Sequence, residues 1–97
     1  MMVVTEAHTY RLDCGYILQF INREKIEGQF VTVVEGTTDE ELLNVLINRT
    51  ESFQKFFPCV ENERALVGLR SALSCFNERT SNRVQKEVEE TKERRKS

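Results

Sequence analysis

The sequence is short of the residues that most often carry chemistry. It has one histidine, His8, one proline, Pro58, and no tryptophan. A lone histidine near the N-terminus suggests no Ser-His or Cys-His pair for nucleophilic catalysis. The four glycines are scattered at 15, 28, 36 and 68, so no glycine-rich loop is present to cradle a phosphate. Three cysteines, Cys14, Cys59 and Cys75, are an odd number with no metal-ligand spacing, which argues against a disulfide framework and against zinc. They read as reduced, partly buried thiols of a cytosolic protein. No stretch approaches the ~20 apolar residues of a membrane span, and the N-terminus lacks a basic-then-apolar signal pattern. The acidic pairs Glu40-Glu41 and Glu89-Glu90 are adjacent, and adjacent residues on a helix do not share a face. Neither catalysis nor a metal or cofactor is expected.

What is present is a chain of 97 residues, enough for one domain covering 1–97. Hydrophobic residues make up 39% and charged residues 31%, so the core is thin. Small domains with little to bury gain stability by oligomerising, and an oligomer is expected here. The net charge of -2 excludes a strongly basic nucleic-acid binder. Residues 1–77 carry 7 basic and 11 acidic side chains, whereas residues 78–97 carry 7 and 5. The tail is locally basic with alternating signs, the pattern of a solvated helix face.

The pattern predicts an α+β fold. A small antiparallel sheet of two or three strands should lie within residues 8–35. Residues 9–12, 16–21 and 29–34 are rich in β-formers, and the polar stretch 22–28 reads as the connection of a hairpin. Thr38 and Glu41 form a capping box at the start of helix one, predicted over 38–57. Its apolar stripe runs through Leu42, Leu43, Leu46, Ile47, Phe53, Phe56 and Phe57. Pro58 disfavours helix at Phe57 and forces a stop. Helix two, predicted over 61–92, starts near Glu61 or Asn62, with Asn62 a plausible N-cap. Its stripe of Ala65, Leu66, Leu69, Ala72, Leu73 and Phe76 fades and then resumes weakly at Val84 and Val88. Helix two therefore outruns the core, and the short connection makes the two helices an antiparallel hairpin.

Three residues stand out as binding candidates, each with a plain alternative. Phe53 is either a core aromatic or a flat apolar face for a base. Asn62 is either a helix cap or an edge reader. Arg79 follows Asn62 by seventeen residues. That spacing is too long for the two to meet in one chain, so a site holding both needs a neighbouring chain.

Several segments resemble those of the phage anti-Thoeris sponge family, whose helical hairpin is shared with the phage anti-CBASS sponges. They are Val34-Glu35-Gly36-Thr37-Thr38-Asp39-Glu40-Glu41-Leu42-Leu43, then Ile47-Asn48-Arg49, Phe53-Gln54, and Phe57-Pro58-Cys59-Val60-Glu61-Asn62-Glu63. The run from Ala65-Leu66 to Ala72-Leu73 and the stretch Glu78-Arg79-Thr80-Ser81-Asn82-Arg83 complete the pattern. The resemblance implies sequestration, without cleavage, of a cyclic nucleotide immune signal in the host cytoplasm: a cyclic ADP-ribose isomer, a cyclic oligonucleotide, or both. It implies a dimer or hexamer with ligand pockets between subunits. It casts Phe53 as the adenine-stacking aromatic, Asn62 as the base reader and Arg79 as the phosphate-binding arginine. Arg23, or in its place Lys25, would add a cation from the sheet, and Arg83 or Arg94 one from a neighbouring tail. Those residue types suit the chemistry, because adenine needs a flat face and a donor-acceptor edge. A pyrophosphate needs forked donors.

The chain departs from that pattern in places. Val60 stands where the family carries arginine, which removes a cation at the turn. Gly68-Leu69-Arg70-Ser71 replaces a Lys-Leu-Glu-Glu run. Gly68 costs the helix up to ~1 kcal/mol unless it permits a close helix contact. Arg70 restores some positive charge.

Two further readings remain open. One is a protein-interaction module that docks a partner through the charged segment Glu87 to Lys96. The other is an RNA-binding regulator using Arg79, Arg83 and Lys86, which the balancing acids disfavour.

Overall fold

The computed structural model describes residues 1–96, without the side chains of Glu87, Glu90 and residues 91–96. The fold is α+β, with five strands followed by two helices. It divides into two compact units, Met1–Leu42 and Leu43–Ser97.

In the first unit, β1 (Met2–Thr5), β2 (Thr9–Arg11) and β3 (Ile17–Gln19) form an antiparallel meander in that order. The turn into β2 places Ala7 at φ 65 and closes with the His8 amide donating to the Thr5 carbonyl. Tyr10 and Phe20 meet edge to face at 5.9 Å. The Thr9 hydroxyl donates to Gln19 Oε1 at 2.7 Å. A second sheet pairs β4 (Asn22–Ile26) with β5 (Gln29–Val34).

Two sequence expectations are corrected here. The strand count is five in two sheets, not two or three in one. The stretch 22–28 is also not a long loop, since most of it is β4. Arg23, Glu24 and Lys25 resemble loop residues because β4 is almost wholly exposed, so no burial selects an apolar face. Only Glu27 and Gly28 turn, at φ 53 and 81. Two consecutive positive φ values are the signature of a type I′ hairpin, whose twist matches its strands. Lys25 lies opposite Phe30 in the register, with its ammonium 5.8 Å from the ring centre.

Gly36 carries the chain from β5 to the first helix across the backbone of residues 19–21. The Thr37 amide donates to the Gln19 carbonyl and the Ile21 amide donates to the Thr37 carbonyl, both at 2.9 Å. A Cβ at Gly36 would lie 2.4 Å from the Gln19 carbonyl oxygen. The helix α1 (Asp39–Phe56) starts as its sequence predicts. Thr38 Oγ1 accepts from the Glu41 amide at 3.1 Å. The return arm differs, because the Glu41 carboxylate accepts from the Thr37 hydroxyl at 2.6 Å.

In the second unit, α1 is followed by α2 (Val60–Lys96). Gln54 of α1 bonds Glu63 of α2, and Glu51 bonds Arg70 at 2.9 Å. The partner number falls on α1 as it rises on α2, so the helices run antiparallel. Arg70 is thus neutralised by Glu51 and adds no spare cation. Leu66 is the one buried apolar side chain among the described residues, at 7% exposure. Ile47, Leu69, Ala72, Leu73 and Phe76 are half-buried, while Leu46, Phe53, Phe56 and Phe57 are exposed. All three cysteines are exposed thiols, contrary to the expectation of partial burial. So thin a core has no room for them. Among the described residues no helix is long and apolar enough to cross a membrane.

Gly36→Ala should destabilise the first unit by about 1–3 kcal/mol, because the methyl meets rigid backbone. Glu27→Asn should raise stability, since asparagine tolerates a left-handed backbone better. Thermal melts followed by circular dichroism check both directions.

Candidate functional site

The turn between the helices is built by one proline and one glutamine. Pro58 has no amide hydrogen, and its ring pushes Phe57 out of helical geometry. The Gln54 carboxamide then grips the main chain of Cys59 from both sides. Its Oε1 accepts from the Cys59 amide at 3.1 Å, and its Nε2 donates to the Cys59 carbonyl at 3.3 Å. The Glu63 amide donates to the same carbonyl, so Cys59 is the N-cap of α2.

That corrects the expected helix start. The helix begins at Val60, and Asn62 lies inside its first turn rather than at its cap. Pro58 and Cys59 together set the earlier start, because the chain re-enters helix directly after the proline. Asn62 is half-buried, and among the described residues its carboxamide has no hydrogen-bond partner. A half-buried amide without an intramolecular role can read a donor-acceptor edge. Phe53, across the turn, is 46% exposed. The Arg49 guanidinium lies over its ring at 4.7 Å. Neither the Arg49 contact nor the Gln54 clasp was anticipated. The four-residue step from Arg49 to Phe53 was the available signal for the first.

Arg79 sits on α2, seventeen residues beyond Asn62. Along a helix that is about 25 Å, so one chain does not bring the two together. Arg79 stacks its guanidinium on Phe76 at 4.5 Å. Arg79 and Arg83 share one face with Cys75, Glu78, Asn82 and Lys86, which line a shallow concavity of about 410 Å³. The two arginines and Lys86 there form a cationic stripe. Arg23 and Lys25 lie on β4 in the other unit and are exposed. The Arg94 side chain lies outside the described residues. So do those of the charged tail Glu87 to Lys96, apart from Val88 and Glu89. Among the described residues no cluster of His, Cys, Asp or Glu can hold a metal ion.

Replacing Gln54 with alanine should loosen the turn. The Cys59 amide should exchange its hydrogen about fivefold faster, the equivalent of ~1 kcal/mol for the lost bond. Amide exchange by NMR reads this residue directly.

No family model and no solved structure matches the chain. It is 40% identical over 60 residues to a curated protein named Thoeris anti-defense 1, from Bacillus phage SBSphiJ7. The match covers 61% of this chain and 42% of that relative, so the chain spans under half of the relative's length. The name of that relative agrees with the resemblance to the anti-Thoeris family read from the sequence.

Proposed function

We propose that this protein counters Thoeris defence in the infected host's cytoplasm by binding a cyclic nucleotide signal and withholding it intact. The relationship to Thoeris anti-defense 1 carries the anti-Thoeris part of the reading. Residues at the helical turn and others further along α2 support the binding part. Phe53 offers a ring that is 46% exposed, Asn62 a half-buried carboxamide with no hydrogen-bond partner among the described residues, and Arg79 and Arg83 forked cationic donors on one face of α2. An adenine stacks on a ring and is read at its edge by an amide. A pyrophosphate is held by guanidinium groups. The ligand class is a cyclic ADP-ribose isomer or a cyclic oligonucleotide. The holder is a homo-oligomer, because Arg79 and Asn62 are too far apart along one helix to share a ligand, and the family resemblance makes it a dimer or hexamer. Arg23 enters as a further cation from the resemblance alone.

Titration of the purified protein with cyclic ADP-ribose isomers and cyclic di- and trinucleotides, followed by calorimetry, tests the reading. Binding should appear in at least one ligand class. Phe53→Ala and Arg79→Ala should each weaken it about tenfold or more, in line with ~1–3 kcal/mol for a stacked base or a charged hydrogen bond. Silence across the panel at high micromolar ligand would sink the proposal. Ligand recovered from the protein should be unchanged by mass, and hydrolysed ligand would point to an enzyme.

A further inference from the structure

Arg49 carries a cation that the proposed function leaves unused. It is exposed on α1. Its guanidinium lies 4.7 Å from the centre of the Phe53 ring, and among the described residues it has no hydrogen bond and no ion pair.

The sequence around it explains that state. On a helix a side chain reaches the residues three and four away. For Arg49 these are Val45, Leu46, Ser52 and Phe53, none of them acidic. Glu51 and Glu63, on the two helices, are already engaged, the first with Arg70 and the second with Gln54. A helical side chain also leans back over the turn before it, which carries the Phe53 ring towards Arg49. The guanidinium therefore rests on an aromatic face and not on a carboxylate.

That contact occupies surface a base would need. Stacked rings have their centres about 4.5–7 Å apart. The guanidinium, at 4.7 Å, stands at the same height, so one face of the ring cannot hold both. A flat cation already lying there means that the face admits a flat group.

Magnitudes decide which occupant stays. An exposed cation–π contact amounts to roughly a two- to fivefold preference. A base stacked on a ring gives roughly fivefold to hundredfold. A charged hydrogen bond adds roughly tenfold or more. A neutral base has to displace the cation and offers it nothing in return. A base that carries phosphate offers it oxygen acceptors in place of the ring.

We infer that Arg49 selects what stacks on Phe53: it covers the ring in the unbound chain and moves from the ring to a phosphate when an adenine nucleotide brings one. Neutral nucleosides are thereby held off, and the cation that screens them lies one helical turn from the ring it guards. The use of Phe53 as the shelf for a base rests on the proposed function. The discrimination by charge is what Arg49 adds to it.

Titrating the full chain with adenosine and with ADP, followed by NMR shifts of the Phe53 ring protons, tests the exchange. In the native chain ADP should bind about tenfold or more tightly than adenosine. In Arg49→Ala, adenosine should bind about two- to fivefold tighter, because the ring is uncovered. ADP should bind about threefold or more weaker, so the preference for ADP falls about tenfold or more. Opposite signs for the two probes are a result that a merely structural role would not produce. Alanine is a better helix former than arginine at an exposed position, so the variant keeps its helix, which circular dichroism checks. Equal losses for both probes, no change with either, or a Phe53 ring that neither probe shifts would overturn the inference. Cyclic nucleotides that bind Arg49→Ala as tightly as the native chain would also overturn it and leave the proposed function standing. Opposite signs in a protein that binds no cyclic nucleotide would uphold the exchange and remove the sequestration reading alone.

Discussion

Pro58 cannot donate a backbone hydrogen bond, and its ring excludes helical geometry at the residue before it, so α1 has to end at the turn. Much else in the second unit depends on that stop. It leaves the Cys59 main chain to be held by the Gln54 carboxamide. It starts α2 at Val60 and puts Asn62 in the first turn with a carboxamide not used as a cap. It sets the antiparallel register that joins Glu51 to Arg70. The seventeen-residue separation of Asn62 and Arg79 within α2 is independent of that stop, and no rotamer change brings the pair together.

The second constraint is how little the chain buries. A domain of this size already hides a smaller fraction of its surface than a larger one. Here Leu66 alone is buried among the described apolar side chains, while Phe30, Val31, Phe56 and Val67 are all exposed. A two-stranded ribbon such as β4–β5 is marginal by itself in water.

Much of the fold was legible in the sequence. The capping residues of α1, the stop at Pro58 and the half-buried stripe through Leu69, Leu73 and Phe76 follow from local chemistry and helical period. The strands were harder to read. Met2–Thr5 is β-branched but short and exposed, and Asn22–Ile26 is polar because neither face is buried. Periodicity reports burial, and where nothing is buried it falls silent. The cysteines were misplaced for the same reason, since partial burial presumes a core large enough to take them.

The sequence by itself determined the class of fold, the position of the helical turn and the residue types at the candidate site. It also set the seventeen-residue separation that makes Asn62 and Arg79 unable to meet within one helix. Only the tertiary structure decided that Cys59 caps α2, which released Asn62, that Arg49 covers Phe53, and that Glu51 takes up the charge of Arg70. Those outcomes depend on which side chains reach across the turn once two helices lie side by side. Spacing along one strand of sequence does not encode that distance.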